Sequence, residues 1–270
     1  MMMLSNLKES AATKWVSLSQ HVSPSPSNRI IGGDEATPHE FPFMVGLLIN
    51  GNAFCGGTLI SENYVLTAAH CGVVISRVTV ILGAHNVSAE EDTQNRIAGA
   101  SVLVHEEYNS TSFQNDVALI KLSEPATLNE NIQLAKLPAR ADADEKYVDD
   151  TTTGIGWGLF EDVFQPTIND ISSTLRYVNV SVLLLSDCGE YYNDYVNNML
   201  FVTENNVCTS GYKNRGTCNG DSGGPLIHDG TQIGIVSIGT QLCEVCSPSI
   251  YTNVGRYLDW IEDNSDVVIS

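Results

Sequence analysis

What most constrains the fold of this 270-residue chain is a repeated pattern of short apolar, β-branched runs, each stopped by Gly, Pro, Asn or Asp. A first series runs Phe43–Ile49, Thr58–Ser61, Tyr64–Thr67, Val78–Leu82, Ser101–His105 and Val117–Leu122. A second runs Thr152–Trp157, Arg176–Leu185, Val207–Thr209, Pro225–His228, Gln232–Ile238 and Ile250–Asn253. Twelve short strands at regular spacing predict an all-β barrel or sandwich. The polar, acidic stretch Leu137–Asp150 separates the two series and reads as the connection between two halves. The one long helical pattern is terminal: Arg256–Asn264 places Tyr257, Trp260 and Ile261 at i, i+3 and i+4, a face suited to docking on the body. A chain of this length buries a sizeable core without a partner, so a monomer is expected.

Charge and cysteine content narrow the surroundings. A formal net charge of -19 argues against a nucleic-acid or anionic membrane partner, because those need clustered Lys and Arg. No stretch reaches the roughly 18 apolar residues of a membrane span. Of the seven cysteines, only Cys243 and Cys246 have Cys-x-x-Cys spacing, and that pair stands without a His or second pair nearby. Disulfides in an extracellular compartment are therefore expected. Three Asn-x-Ser/Thr triplets, at Asn86, Asn109 and Asn179, suit the same compartment. Met1–Asn28 holds Lys8, Glu9 and Lys14 and no apolar run long enough for a signal peptide, so a secretory leader is expected outside this stretch.

Nucleophilic catalysis by serine needs a base, a group to orient that base, and donors aimed at the developing oxyanion. Thr67-Ala68-Ala69-His70-Cys71 places a histidine after a strand and beside a cysteine. Asn115-Asp116-Val117-Ala118-Leu119 places a carboxylate at the start of a strongly apolar strand. Gly220-Asp221-Ser222-Gly223-Gly224-Pro225 sets a serine among glycines that let backbone N–H groups approach a reacting carbonyl. Each context alone is ambiguous; their order, His then Asp then Ser, is informative.

From Ile30 onward the chain resembles the trypsin and chymotrypsin family of serine proteases. The resemblance rests on Arg29-Ile30-Ile31-Gly32-Gly33, Cys55-Gly56-Gly57, Thr67–Cys71, Asp116–Leu119, Gly156-Trp157-Gly158 and Gly220–Pro225. It implies two six-stranded antiparallel β-barrels, over residues 30–140 and 141–270, around a cleft. It also implies that Ser222 attacks the scissile carbonyl, His70 is the base and Asp116 orients it, with the amides of Gly220 and Ser222 as the oxyanion hole. Ser237 matches the family serine that contacts the buried carboxylate. Some of these runs, such as Leu82–Asn86 and Gly216–Gly220, resemble the brachyurin group of arthropod digestive proteases.

The same resemblance implies a zymogen. Residues 1–29 would be removed by a trypsin-like activating protease cutting after Arg29, and the freed ammonium of Ile30 would pair with Asp221. Cys55 would pair with Cys71, Cys188 with Cys208 and Cys218 with Cys243, leaving Cys246 over. Where many members begin a calcium loop with Glu this chain has Ala84, so no metal is expected, and no cofactor.

The implied partners are protein or peptide substrates and protein protease inhibitors. Specificity is carried by the residue six before the nucleophile, here Gly216 instead of the Asp of a trypsin. With Thr217, Gly239 and Ser249 the pocket is expected to be open and uncharged, favouring large apolar or aromatic side chains. Two rivals are a catalytically silent relative that only binds, and a regulatory protease with one protein substrate.

Overall fold

The computed structural model describes residues 33–159, 163, 167–195, 202–213, 215–239 and 246–270. After a two-residue strand β1 (Asp34–Glu35) come six strands that close into a barrel. They are β2 (Met44–Ile49), β3 (Ala53–Leu59), β4 (Tyr64–Thr67), β5 (Val78–Leu82), β6 (Asn95–Val104) and β7 (Ala118–Leu122), in the order β2-β3-β4-β7-β6-β5. All neighbours are antiparallel. Leu47, Leu59, Val65, Leu66, Val80, Ile97, Leu119 and Ile120 fill the interior and are essentially inaccessible to solvent, which is the main apolar gain that offsets ordering the chain.

The second half forms one curled sheet from β8 (Thr151–Gly156), β9 (Arg176–Ser181), β10 (Asn206–Thr209), β11 (Pro225–His228), β12 (Thr231–Ile238) and β13 (Ser249–Asn253), with β1 added at the edge. Its order is β1-β9-β8-β11-β12-β13-β10. Instead of a full ladder, the β9 and β10 ends meet at one bridge, Val182 with Thr209, supported by Leu183 N–H to Cys208 O (2.9 Å) and Ser210 N–H to Ser181 O (2.8 Å). The expected all-β, two-barrel architecture is thus present, with the second barrel closed more loosely than the first.

Three elements differ from their sequence reading. β3 begins at Ala53, not Thr58, because Gly56 and Gly57, poor strand formers, are held in register against Gly46 and Val45 of β2. β6 starts at Asn95, not Ser101; in its first half only Ile97 is buried, too little to give the apolar alternation that marks a strand. Arg176–Leu185 is not one strand: the ladder stops at Ser181 and a helix, α2 (Leu185–Tyr195), begins. Its polar, Gly-containing sequence carries little periodic signal. It is anchored by the Cys188–Cys208 disulfide and by Tyr192 O–H to Pro248 O (2.5 Å).

The terminal pattern appears as a 3₁₀ turn, Val254–Tyr257, leading into α3 (Leu258–Asp263). Val254, Tyr257, Leu258 and Ile261 pack into the core of the first barrel, so the end of the chain crosses back and ties the halves together. Tyr257 and Ile261 are buried as the pattern requires, while Trp260 lies over His105 with its indole N–H donated to Glu106. Among the described residues no helix is long and apolar enough to cross a membrane.

Candidate active site

His70 lies in a single turn, α1 (Ala69–Gly72), directly after β4. The Cys55–Cys71 disulfide fastens that turn to β3, so the residue beside the imidazole is covalently fixed. Asp116 precedes β7 and is fully buried. One carboxylate oxygen accepts the His70 backbone N–H at 2.8 Å and the other faces His70 Nδ1 at 2.8 Å. Ser237 O–H donates to that second oxygen at 2.5 Å. An ionised carboxylate only accepts, so opposite one Nδ1 is the donor, which in a neutral imidazole puts the lone pair on Nε2. That is the tautomer a general base requires.

Ser222 belongs to the second half but is docked on the first. Its carbonyl accepts the Gly56 N–H of β3 at 2.7 Å and lies 3.7 Å from the Cys71 sulfur. The serine loop and the histidine turn are therefore brought together by contacts of the Ser222 backbone that leave its hydroxyl uninvolved. Gly220, at φ +98°, holds a backbone conformation that side chains resist. Among the described residues neither the Gly220 nor the Ser222 amide donates to a backbone carbonyl, as donors reserved for a substrate oxygen must not.

Asp221, between them, points the other way into the protein and is completely buried. It accepts the Gly158 N–H at 2.7 Å and the Cys218 N–H at 2.8 Å. A Cβ on Gly156 or Gly158 would collide with its carboxylate, which explains the glycines on either side of Trp157. Burial pushes its pKa up to about 6 against the opposing pull of the two amides. No cation reaches it among the described residues.

Beside Ser222 opens a cavity of about 150 Å³ whose lining includes Thr217, Cys218, Val236, Ser237 and Gly239. Among the described residues no ionisable side chain contributes to this lining. Gly216 and Ser249 are not among the lining residues; both are buried, and a Cβ on Gly216 would stand 3.1 Å from Ser249 Oγ. Phe113 and Asn219 also border the cavity and were missed from sequence. Phe113, with its ring 5.9 Å from that of His70, has a recognisable signal in retrospect. It is a lone aromatic in the polar run Asn109–Asn115, three residues before Asp116.

Two of the expected disulfides, Cys55–Cys71 and Cys188–Cys208, are formed. Cys218 is disulfide-bonded as well; Cys243, its expected partner, lies outside the described residues, as do Arg29 and Ile30. Cys246 is exposed. The loop that begins at Ala84 is closed by Glu91, whose carboxylate accepts the His85 and Asn86 N–H groups (2.8 and 3.1 Å) and the Gln94 amide (3.1 Å). Among the described residues no cluster of three or more His, Cys, Asp or Glu side chains is arranged to hold a metal.

Comparison with known proteins agrees with this geometry. The family model described as Trypsin matches residues 30–261. A brachyurin from Leptuca pugilator is 40% identical over 239 residues, covering 88% of this chain and 99% of that protein. A chymotrypsin from Phaedon cochleariae is 38% identical over 244 residues, covering 89% and 84%. A solved structure described as HL collagenase superposes with a TM-score of 0.77 at 29% identity, over 89% of this chain and all of that one.

Proposed function

The chain belongs to the trypsin family of serine endopeptidases, and from that premise we propose that it is a secreted digestive-type protease, made as a zymogen, that cuts after large apolar or aromatic residues. The observation that carries the catalytic part is the Asp116–His70 pair, 2.8 Å apart with Asp116 buried, beside a serine loop docked on the histidine's own barrel.

In this reading Ser222 Oγ attacks the substrate carbonyl as its proton passes to His70 Nε2. Asp116, held by Ser237, stabilises the imidazolium. The developing oxyanion takes the Gly220 and Ser222 amides, and the proton on His70 leaves with the amine as the tetrahedral species collapses to an acyl-enzyme. Water activated by the same histidine then releases the acid and restores Ser222. Cleavage after Arg29 by a trypsin-like protease supplies the Ile30 ammonium, and Asp221, buried with two amides and no cation among the described residues, is suited to receive it. The disulfides suit the oxidising compartment to which secretion leads. Protein protease inhibitors would occupy the cleft as substrates do, and the enzyme would work as a monomer.

The absence of an ionisable side chain from the described lining of the cavity, together with Gly216 in place of an acid six residues before Ser222, supports apolar over basic specificity. A panel of peptides differing only in the residue before the scissile bond, given to the chain cut at Arg29, tests this. Fastest turnover is expected for Phe, Tyr, Leu or Met; a clear preference for Arg or Lys refutes it. The similarity to a brachyurin and to a collagenase favours a second reading, broader specificity extending to collagen, and cleavage of a triple-helical peptide would support it.

A further inference from the structure

We propose that Tyr257 and Thr252 are positioning residues for the Asp116 carboxylate, gripping the Asn115–Asp116 turn from the opposite half of the molecule. The proposal rests on the reading of Asp116 as the residue that orients His70.

Asp116 sits in an unusual piece of backbone. Asn115 is left-handed (φ 57°), a conformation that Asn tolerates better than most residues. Its carbonyl accepts the Val117 N–H at 2.9 Å, so three residues make a tight turn centred on Asp116. Nothing in an isolated apolar strand demands this turn. Three second-half hydroxyls meet it. Tyr257 O–H, from the 3₁₀ turn before α3, donates to Asn115 Oδ1 at 2.9 Å. Thr252 O–H, from β13, donates to the Asp116 carbonyl at 2.8 Å. Ser237 O–H, from β12, reaches the carboxylate itself.

Tyr257 and Thr252 are 5% and 2% exposed, so both bonds are sheltered from water and hold geometry better than surface contacts do. Burial and the nearby Asp116 charge push the Tyr257 phenol up to about 12, which keeps it a donor throughout any working range of pH. Asn115 is held from its other end too, its amide donating to Glu107 O at 2.9 Å. Asp116 therefore takes its direction from both halves of the chain: the His70 N–H and ring contacts come from the first, Ser237 and Thr252 from strands of the second, and Tyr257 from the terminal segment that crosses back. The same grip sets the register between the half that carries His70 and the half that carries Ser222.

The test uses Tyr257→Phe and Thr252→Val in the full chain, activated at Arg29 and normalised by active-site titration so that misfolded protein does not count. On a peptide amide, each variant is expected to lose kcat by about five- to tenfold, one hydrogen bond's worth, with KM within about twofold. The acid limb of the kcat/KM profile, which reports the His70 base, should shift as the Asp116 bond loosens. Thr152→Val is the control. Thr152 O–H makes a similarly buried bond, to Val180 O at 3.0 Å, away from Asp116. It should leave kcat and the acid limb unchanged. If Tyr257→Phe and Thr252→Val match that control, or lower activity only through the titratable fraction, the positioning role is refuted. His70→Ala separates the two ideas: retained activity there overturns the triad reading itself, whereas its loss with unaffected Tyr257 and Thr252 variants overturns only the grip.

Discussion

Substituting Asp221 by Asn should stabilise the uncut chain and destabilise the cut one. Asp221 is fully buried and its pKa is raised from 3.8 to about 6. Between those values the folded chain holds a proton that the unfolded chain has released, so folding is favoured at low pH and that contribution is lost as pH rises from about 4 through about 6. At pH 7 the buried charge then costs about 3 kcal/mol relative to its neutral form. Asn is neutral and nearly isosteric but has one acceptor oxygen for the Gly158 and Cys218 amides, a loss of about 1 kcal/mol. The uncut variant should therefore be more stable by about 2 kcal/mol at pH 7, and the advantage should vanish near pH 4. After cleavage at Arg29 the Ile30 ammonium needs its counter-charge, and removing one partner of a buried pair costs about 3–5 kcal/mol. The sign must then reverse. Denaturant unfolding of both forms between pH 4 and 7, in a Ser222→Ala background that prevents self-digestion, measures this. Equal stability of the uncut proteins at pH 7, or the same sign before and after cleavage, would refute the reasoning.

Two other predictions concern specificity and a surface loop. Gly216→Asp places a carboxylate against Ser249 and should shift the peptide panel toward Arg and Lys by at least about tenfold, one charge-pair's worth; an unchanged ranking would remove Gly216 from the specificity pocket. Glu91→Gln should destabilise the chain by about 1 kcal/mol at neutral pH, the net worth of a bond to a charged acceptor. Burial raises the Glu91 pKa, but hydrogen bonds from Gln94 and the Asn86 and His85 amides outweigh it, so the net shift is downward. Stability from Glu91 is thus present above the unfolded carboxyl range and lost as pH falls through the lowered folded value. Melting curves of the two proteins should converge in acid, and a difference that persists there would contradict the assignment.

The contrast between Asp221 and Glu91 also shows what sequence conveys. The largely buried strands β2 and β7 were legible because their residues are nearly all apolar, the exposed Lys121 of β7 being the exception. The first half of β6 was not, since it buries one side chain, Ile97, and a single buried residue makes no apolar pattern. β3 was obscured by Gly56 and Gly57: the bare Gly56 allows the close approach of Ser222 and Gly224, a requirement of the cleft, while Gly57 makes room for Val45, Val65 and Leu66 inside the barrel. His70, Asp116 and Ser222, the proposed triad, stood out through local motifs. Phe113, Thr252 and Tyr257 did not, because their roles depend on which barrel faces which, a property of tertiary contact. Glu91 reads in sequence as one of three adjacent acids, and only the folded loop turns it inward.

The central claim is that Ser222 is a nucleophile driven by His70 and released by cleavage at Arg29. Mass spectrometry after exposure to an organic phosphonate that reacts with activated serines tests it most directly. The account predicts one phosphonate per molecule, on Ser222, in the cut chain, with labelling slowed by several orders of magnitude in the uncut chain and in His70→Ala. Labelling of the cut chain at another residue, or none at all, would contradict it.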